Sequence, residues 1–178
     1  MTASRRRRVH QRQAIYQGPV FRLVRDTVLA GGLPQICDVI LHPGAAVVVP
    51  RLDRSRIILV RQYRHPVGRE LLELPAGTLR KNERPMACAK RELAEETDWS
   101  ASALRPIGRF YAAPGYTNER MVVFLASGLT RTTASPDPDE EIRSVILTVR
   151  SALAKIRSGE ICDAKSIIGI LLARRFLA

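Results

Sequence analysis

Two β-branched runs constrain this chain more than any other feature. AAVVVPRL (residues 45–52) and SRIILVRQYR (residues 55–64) carry uninterrupted blocks of Ala, Val, Ile and Leu, a composition that favours strands packed into a core. Asp53, Arg54 and Ser55 between them supply turn chemistry, so the pair is expected to form a hairpin. Shorter apolar stretches at residues 20–29 and 36–41 flank the turn AGGLP and predict an N-terminal hairpin. RELLELPAG reads as a strand closed by Pro75 and Gly77, and further strands are expected at residues 107–111, 121–126 and 142–149.

Helical composition appears in two places. Residues 85–97 are rich in Ala, Leu, Arg and Glu, with Pro85 suited to a first helical turn, where its missing N–H costs little. After residue 149 the chain turns helical again, with Ser151 a candidate cap and Asp163 or Lys165 the start of a last apolar helix. Strands around one central helix, with helices at the end, predict an α/β layered sandwich with a mixed sheet. The expected organisation is an N-terminal arm and antiparallel β extension over residues 1–41, followed by the main domain over residues 42–178. TRTTASPDPDEE, polar and punctuated by proline, is expected as an exposed loop.

Composition excludes several classes. With 46% hydrophobic and 26% charged residues the chain is neither disordered nor fibrous. Cys37, Cys88 and Cys162 are far apart and lack a CxxC pair, so neither a disulfide framework nor a zinc site is expected. The longest apolar runs are too short to span a membrane, and the reading is a cytoplasmic protein. A net charge of +12 suits a partner bearing phosphate. The run Arg5 to Arg8 is read as a solvated tail, and nucleic acid is disfavoured as a partner because aromatic residues make up only 5% and no stacking motif is visible.

Against that positive background, KRELAEET gathers three glutamates. On a helix Glu92 and Glu96 lie four residues apart and share a face. Two carboxylates so close repel, and a hard divalent cation, Mg²⁺ or Mn²⁺, offsets that repulsion. The plainer reading is a solvated face on which Arg91 pairs with Glu95.

The wider spacing favours the metal. Gly77, five residues, Glu83, seven residues, Arg91-Glu92, two residues and Glu95-Glu96 together resemble the signature of the Nudix hydrolases at every charged position. The pattern departs from the family at Asp98 and Trp99, where a glycine and a small aliphatic residue are usual. Aspartate is among the few residues that tolerate the left-handed conformation expected there, so the cost falls on stability more than chemistry. The flanks HPGAAVVVP, ILVRQYRHPVGRELLELPAG, FYAAPGYTNERM and GEICDAKSIIGILLA look like the ADP-ribose pyrophosphatase branch.

That resemblance implies a Nudix-type α/β/α sandwich that hydrolyses ADP-ribose to AMP and ribose 5-phosphate. It implies metal at the Ala76 carbonyl, Glu92, Glu95 and Glu96, with Gly77, Glu83 and Arg91 in support. Arg64 would grip the pyrophosphate, and Pro114 and Gly115 would match the branch's substrate-side proline. An acid of the late loop would manage the water's proton, with Glu140 aligned best and Glu141 or Asp139 as replacements. Members of the branch commonly form homodimers through the N-terminal strands. Hydrolysis of another nucleotide sugar such as GDP-mannose is the alternative activity, and a non-catalytic RNA-binding role is a more distant one.

Overall fold

The computed structural model describes residues 8–133 and 141–177. In chain order its elements are β1 (Val9–Gln17), β2 (Arg22–Ala30), β3 (Leu33–Leu41), β4 (Ala45–Pro50), β5 (Arg56–Arg64), β6 (Arg69–Glu73), β7 (Ala76–Thr78), α1 (Pro85–Thr97), β8 (Trp99–Tyr111), β9 (Arg120–Arg131), β10 (Ile142–Thr148), α2 (Val149–Arg157) and α3 (Ala164–Ala173). The strands form three sheets, ordered β1-β2-β3, β10-β5-β6 and β7-β4-β9-β8.

β4 is buried along its whole length because it is covered on both faces. Ala46 and Val48 meet Cys88, Ala89 and Leu93 of α1. Val47 and Val49 face the opposite way, into a core shared with Ile57, Leu59, Leu72, Leu74 and Ile170 of the second sheet and α3. Each fully buried valine contributes on the order of 1.5–3 kcal/mol of transfer free energy. The result is the α/β/α sandwich expected of the sequence, with α1 on one side and the second sheet, α2 and α3 on the other.

The expected β4–β5 hairpin does not form. β4 instead pairs parallel with β9, Ala45 to Pro50 against Met121 to Ala126, and antiparallel with β7. Both of its edges are thereby occupied. The turn chemistry itself is real: Asp53 Oδ1 accepts from the backbone N–H groups of Ser55 and Arg56 at 2.8 Å. It redirects the chain into another sheet, leaving one bridge between Arg51 and Ile57. A continuous apolar run is what a central strand flanked by a parallel neighbour requires, and that neighbour lies far along the chain.

The N-terminal hairpin does form, as β2 and β3, but β1 was not anticipated. Every residue of β1 is exposed, so no burial pattern marks it in the sequence. It is tied to β2 by Arg12, whose Nε and Nη2 donate to the buried Asp26 at 2.7 and 2.6 Å. The Arg12 hydrogen bonds hold the Asp26 carboxyl below its usual range against the smaller opposing effect of burial.

α1 spans residues 85–97 as expected, with Pro85 in its first turn. It ends at Asp98, which adopts φ 58° and ψ 31° and donates its N–H to the Ala94 carbonyl. Aspartate thus fills the left-handed cap in place of glycine. The cap of α2 is Thr148, whose hydroxyl accepts from the Ser151 N–H; Ser151 lies inside the helix instead of capping it. Asp163 caps α3 by accepting from the Ser166 N–H.

Candidate active site

The carboxylates of α1 open onto a cleft of about 690 Å³. It is lined by Ala76, Gly77 and Thr78 of β7 with Glu92, Glu95 and Glu96, by Gln62 and Arg64 of β5, and by Val20 and Phe21. β7 is short and ends in the loop that carries Glu83, so the strand and the helix are held as neighbours by the same segment.

Gly77 sets how closely helix and strand approach. A Cβ at this position would lie 1.8 Å from Glu92 Oε1, so only glycine lets that carboxylate seat against the backbone. Glu96 Oε2 accepts from the Ala76 N–H at 3.2 Å. Both glutamates are buried residues, and carboxylates are seldom buried unless paired or bound to a cation.

Arg91 organises the cluster. Its Nε and Nη2 donate to Glu83 at 3.1 and 3.2 Å, and its Nη1 lies 2.6 Å from Glu92 and 2.9 Å from Glu95. Burial opposes its charge, but the carboxylates of Glu83, Glu92 and Glu95 outweigh that and raise its pKa further. Glu83 also accepts from the Arg80 N–H at 2.8 Å, and its carboxyl lies below the usual range chiefly because of Arg91. Beneath Glu92, burial and the nearby carboxylates push the Cys88 thiol up to about 12.

The donor set suits a hard divalent cation. It is oxygen only, and the absent Cβ at Gly77 leaves a cradle in which the Glu92 carboxylate meets the strand. Among the described residues no three His, Cys, Asp or Glu side chains already converge into a cage. Arg91 holds Glu92 and Glu95 together on one wall.

Arg64 of β5 lines the same cleft. Its Nε and Nη2 donate to Glu73 Oε2 at 3.0 and 2.6 Å. Gln62, two residues earlier and hence on the same strand face, is buried, and its Oε1 has no partner among the described residues. Sequence reading passed over Gln62 and Glu73. Gln62 is a polar residue in the apolar central strand of its sheet, which was the available signal; Glu73, in the charged edge strand RELLE, carried none.

The remaining expected residues are placed differently. Pro114 and Gly115 form a turn beside the bridge between Thr117 and Ile40, and they do not line the cleft. Asn118, just beyond, lines an adjoining cavity of about 1020 Å³ with Phe21, His42 and Arg80. Glu141 is exposed and immediately precedes β10, whose first residue, Ile142, stands opposite Gln62. Glu140 and Asp139 lie outside the described residues.

The NUDIX domain family model matches residues 41–166. The chain belongs to the Nudix family. Among curated relatives, it is 38% identical to the ADP-ribose pyrophosphatase of Bacillus subtilis over 89% of this chain and 88% of that one. It is 34% identical to the methanol dehydrogenase activator of Bacillus methanolicus, over 89% and 87% of the two chains. The GDP-mannose pyrophosphatase of Citrobacter koseri is 33% identical over 70% of each. A solved structure, described as an ADP compounds hydrolase, shares the Nudix fold with a TM-score of 0.86 over 99% of this chain and 97% of that chain, at 19% identity.

Proposed function

We infer that the protein hydrolyses the pyrophosphate of ADP-ribose to AMP and ribose 5-phosphate, with Mg²⁺ as cofactor and Mn²⁺ able to replace it. The observation that carries the reading is that Glu92, Glu95, Glu96 and Arg64 line one cleft. A phosphoanhydride needs this pairing, with anionic residues to hold a cation and a guanidinium to take phosphate oxygens. ADP-ribose is preferred to GDP-mannose because the ADP-ribose pyrophosphatase relative matches over a larger share of both chains.

Bound metal would neutralise charge on the phosphoryl oxygens and favour deprotonation of water. Glu92, Glu95, Glu96 and the Ala76 carbonyl would hold it. Arg91, itself anchored by Glu83, keeps Glu92 and Glu95 from splaying apart, and Gly77 keeps Glu92 against the strand. Arg64 orients the pyrophosphate. Glu140, or Glu141 in its place, takes the proton as water oxygen bonds to phosphorus and the anhydride P–O bond breaks. Pro114 and Gly115, outside the cleft itself, would act on the substrate side only through their loop, in which Asn118 lines the adjoining cavity.

Residues 1–41 act as a dimerisation extension and residues 42–178 as the hydrolase domain. The support is the exposed apolar surface of the N-terminal sheet, including Ile15, Tyr16, Leu29, Leu33 and Ile36, which a second copy would cover. The cytoplasm is the proposed location; among the described residues no helix is long and apolar enough to cross a membrane.

The test is a panel of nucleotide sugars incubated with the protein and Mg²⁺, with products resolved by chromatography. AMP and ribose 5-phosphate should form from ADP-ribose faster than any product forms from GDP-mannose. A reversed order would assign the alternative substrate, and no hydrolysis of any member would remove the enzymatic reading.

A further inference from the structure

The segment GEICDAKSIIGILLA leads into α3, which packs on the four-stranded sheet, and one of its side chains reaches the end of β6. Lys165 Nζ lies 2.8 Å from Glu73 Oε2, the same oxygen that takes both bonds from Arg64. Three nitrogens from two cations therefore converge on one buried carboxylate oxygen. Exposure falls from 34% at the Arg64 side chain to 12% at Lys165 and 2% at Glu73. The network runs from the cleft into the core, with Arg64 as its outer end.

The inner end is fixed equally firmly. Asp163 Oδ2 accepts from Lys165 Nζ and from the Ser166 N–H, each at 3.0 Å. Ser166 Oγ accepts from the Leu74 N–H at 2.7 Å in a buried contact. Gly169 completes the seat, since a Cβ there would stand 2.5 Å from Leu74 Cδ1. The first turn of α3 is thus stitched to Glu73 and Leu74, immediately before the Pro75-Ala76-Gly77 wall.

Such an arrangement is a costly way to obtain stability alone, because buried ion pairs often do no better than apolar residues of the same size. It does fix the plane of a guanidinium. Two N–H groups bound to one oxygen leave Arg64 little freedom to rotate, and Lys165 prevents Glu73 from following Arg64 towards solvent.

We propose that the first turn of α3 is a positioning element of the cleft, in which Lys165 holds Glu73 and Glu73 holds Arg64 in the orientation that receives a substrate phosphate. Lys165 and Glu73 act through Arg64 and touch no substrate. The proposal rests on the reading of Arg64 as a phosphate ligand, and the experiment separates the two.

R64A, E73Q, K165M, K165R and the double variant R64A/E73Q would be compared by thermal melting, by steady-state kinetics on ADP-ribose, and by equilibrium binding of ADP-ribose in chelator without divalent cation. E73Q and K165M should each weaken binding and raise KM about tenfold with a smaller change in kcat, as loss of orientation predicts. K165R should recover much of the loss. E73Q should cost nothing further in the R64A background, because residues acting through one group are not additive. Should E73Q or K165M fold and bind ADP-ribose as the parent does, or should the E73Q and R64A losses simply add, the positioning role is overturned. If R64A itself binds and turns over ADP-ribose normally, it is the phosphate-ligand reading of Arg64 that fails.

Discussion

The two sides of the cleft solve opposite electrostatic problems. On the α1 side one cation, Arg91, serves three carboxylates, Glu83, Glu92 and Glu95. On the β5 side one carboxylate, Glu73, serves two cations, Arg64 and Lys165. The first cluster keeps an excess of negative charge next to the wall where metal would sit; in the second, Asp163 also binds Lys165, so its charges balance and Arg64 is the member that lines the cleft. Each minority charge is an organiser, since it brings like charges together that would otherwise separate. The contrast teaches that complementarity to a metal–pyrophosphate ligand is built from an acidic cluster left unbalanced and an arginine held in place by a balanced one.

The strongest way to break this contrast is to remove charge from the acidic side. E96Q keeps the size of the side chain and its acceptor for the Ala76 N–H, so it should melt near the parent temperature while losing on the order of a hundredfold or more in kcat/KM under limiting Mg²⁺. Parental activity under those conditions would remove Glu96 from the metal site.

Removing the organiser of the same side should do less. R91Q leaves Glu83, Glu92 and Glu95 without their shared cation, and a loss of about 10–100-fold in apparent metal affinity is expected, as for groups that orient ligands. A Mg²⁺ titration of activity reads this directly. Equal Mg²⁺ requirements in parent and variant would show that Arg91 is only a stabilising surface pair.

The positive side is sharpened through acid. Burial alone would raise the Glu73 carboxyl, but the Arg64 hydrogen bonds and the Lys165 charge bring it below the ordinary glutamate value. A depressed folded-state pKa contributes stability that is present above the unfolded value, about 4.3, and is lost as pH falls through the lower folded value. E73Q should therefore melt below the parent at pH 7, with the gap narrowing as pH drops beneath about 4.3. A gap independent of pH between 7 and 3 would contradict the ionised pair.

The smallest effect lies at the end of the acidic helix. Asp98 holds a left-handed conformation at φ 58° that glycine adopts without a Cβ penalty. D98G should stabilise by about 0.5–1 kcal/mol, a rise of about 1–4 °C in Tm for a chain of this size, with Mg²⁺ dependence unchanged. A fall in Tm would mean that the Asp98 side chain has a role the cap geometry does not disclose.

Legibility in the sequence followed the same division between the two clusters. The acidic side could be read because its members are local: Arg91, Glu92, Glu95 and Glu96 fall on one helix at three- and four-residue spacing, and Gly77 and Glu83 lie just ahead of it. The Glu73 side could not, because its members come from β5, β6 and α3, and only the folded chain brings residues 64, 73 and 165 together. Pairing of interior strands was hidden for a related reason. AAVVVP shows that β4 is buried, but an apolar run carries no mark of which strand lies beside it, and local turn chemistry at Asp53 suggested the wrong one. β1 left no trace because it buries nothing, and its pairing is decided by Arg12 meeting Asp26.

The parallel pairing of β4 with β9 also bears on how the chain is made. Ala45 is in register with Met121, and β7, the other neighbour of β4, also follows it in the chain. At roughly 5–20 residues per second, the ribosome needs on the order of 4–15 s to deliver β9 after β4. Through that interval AAVVVP, uncharged and rich in valine, has no β9 to pair with, and short stretches of this kind associate readily with one another. The strand buried along its whole length in the finished protein is therefore one that must wait, unpaired on that edge, for a partner made much later.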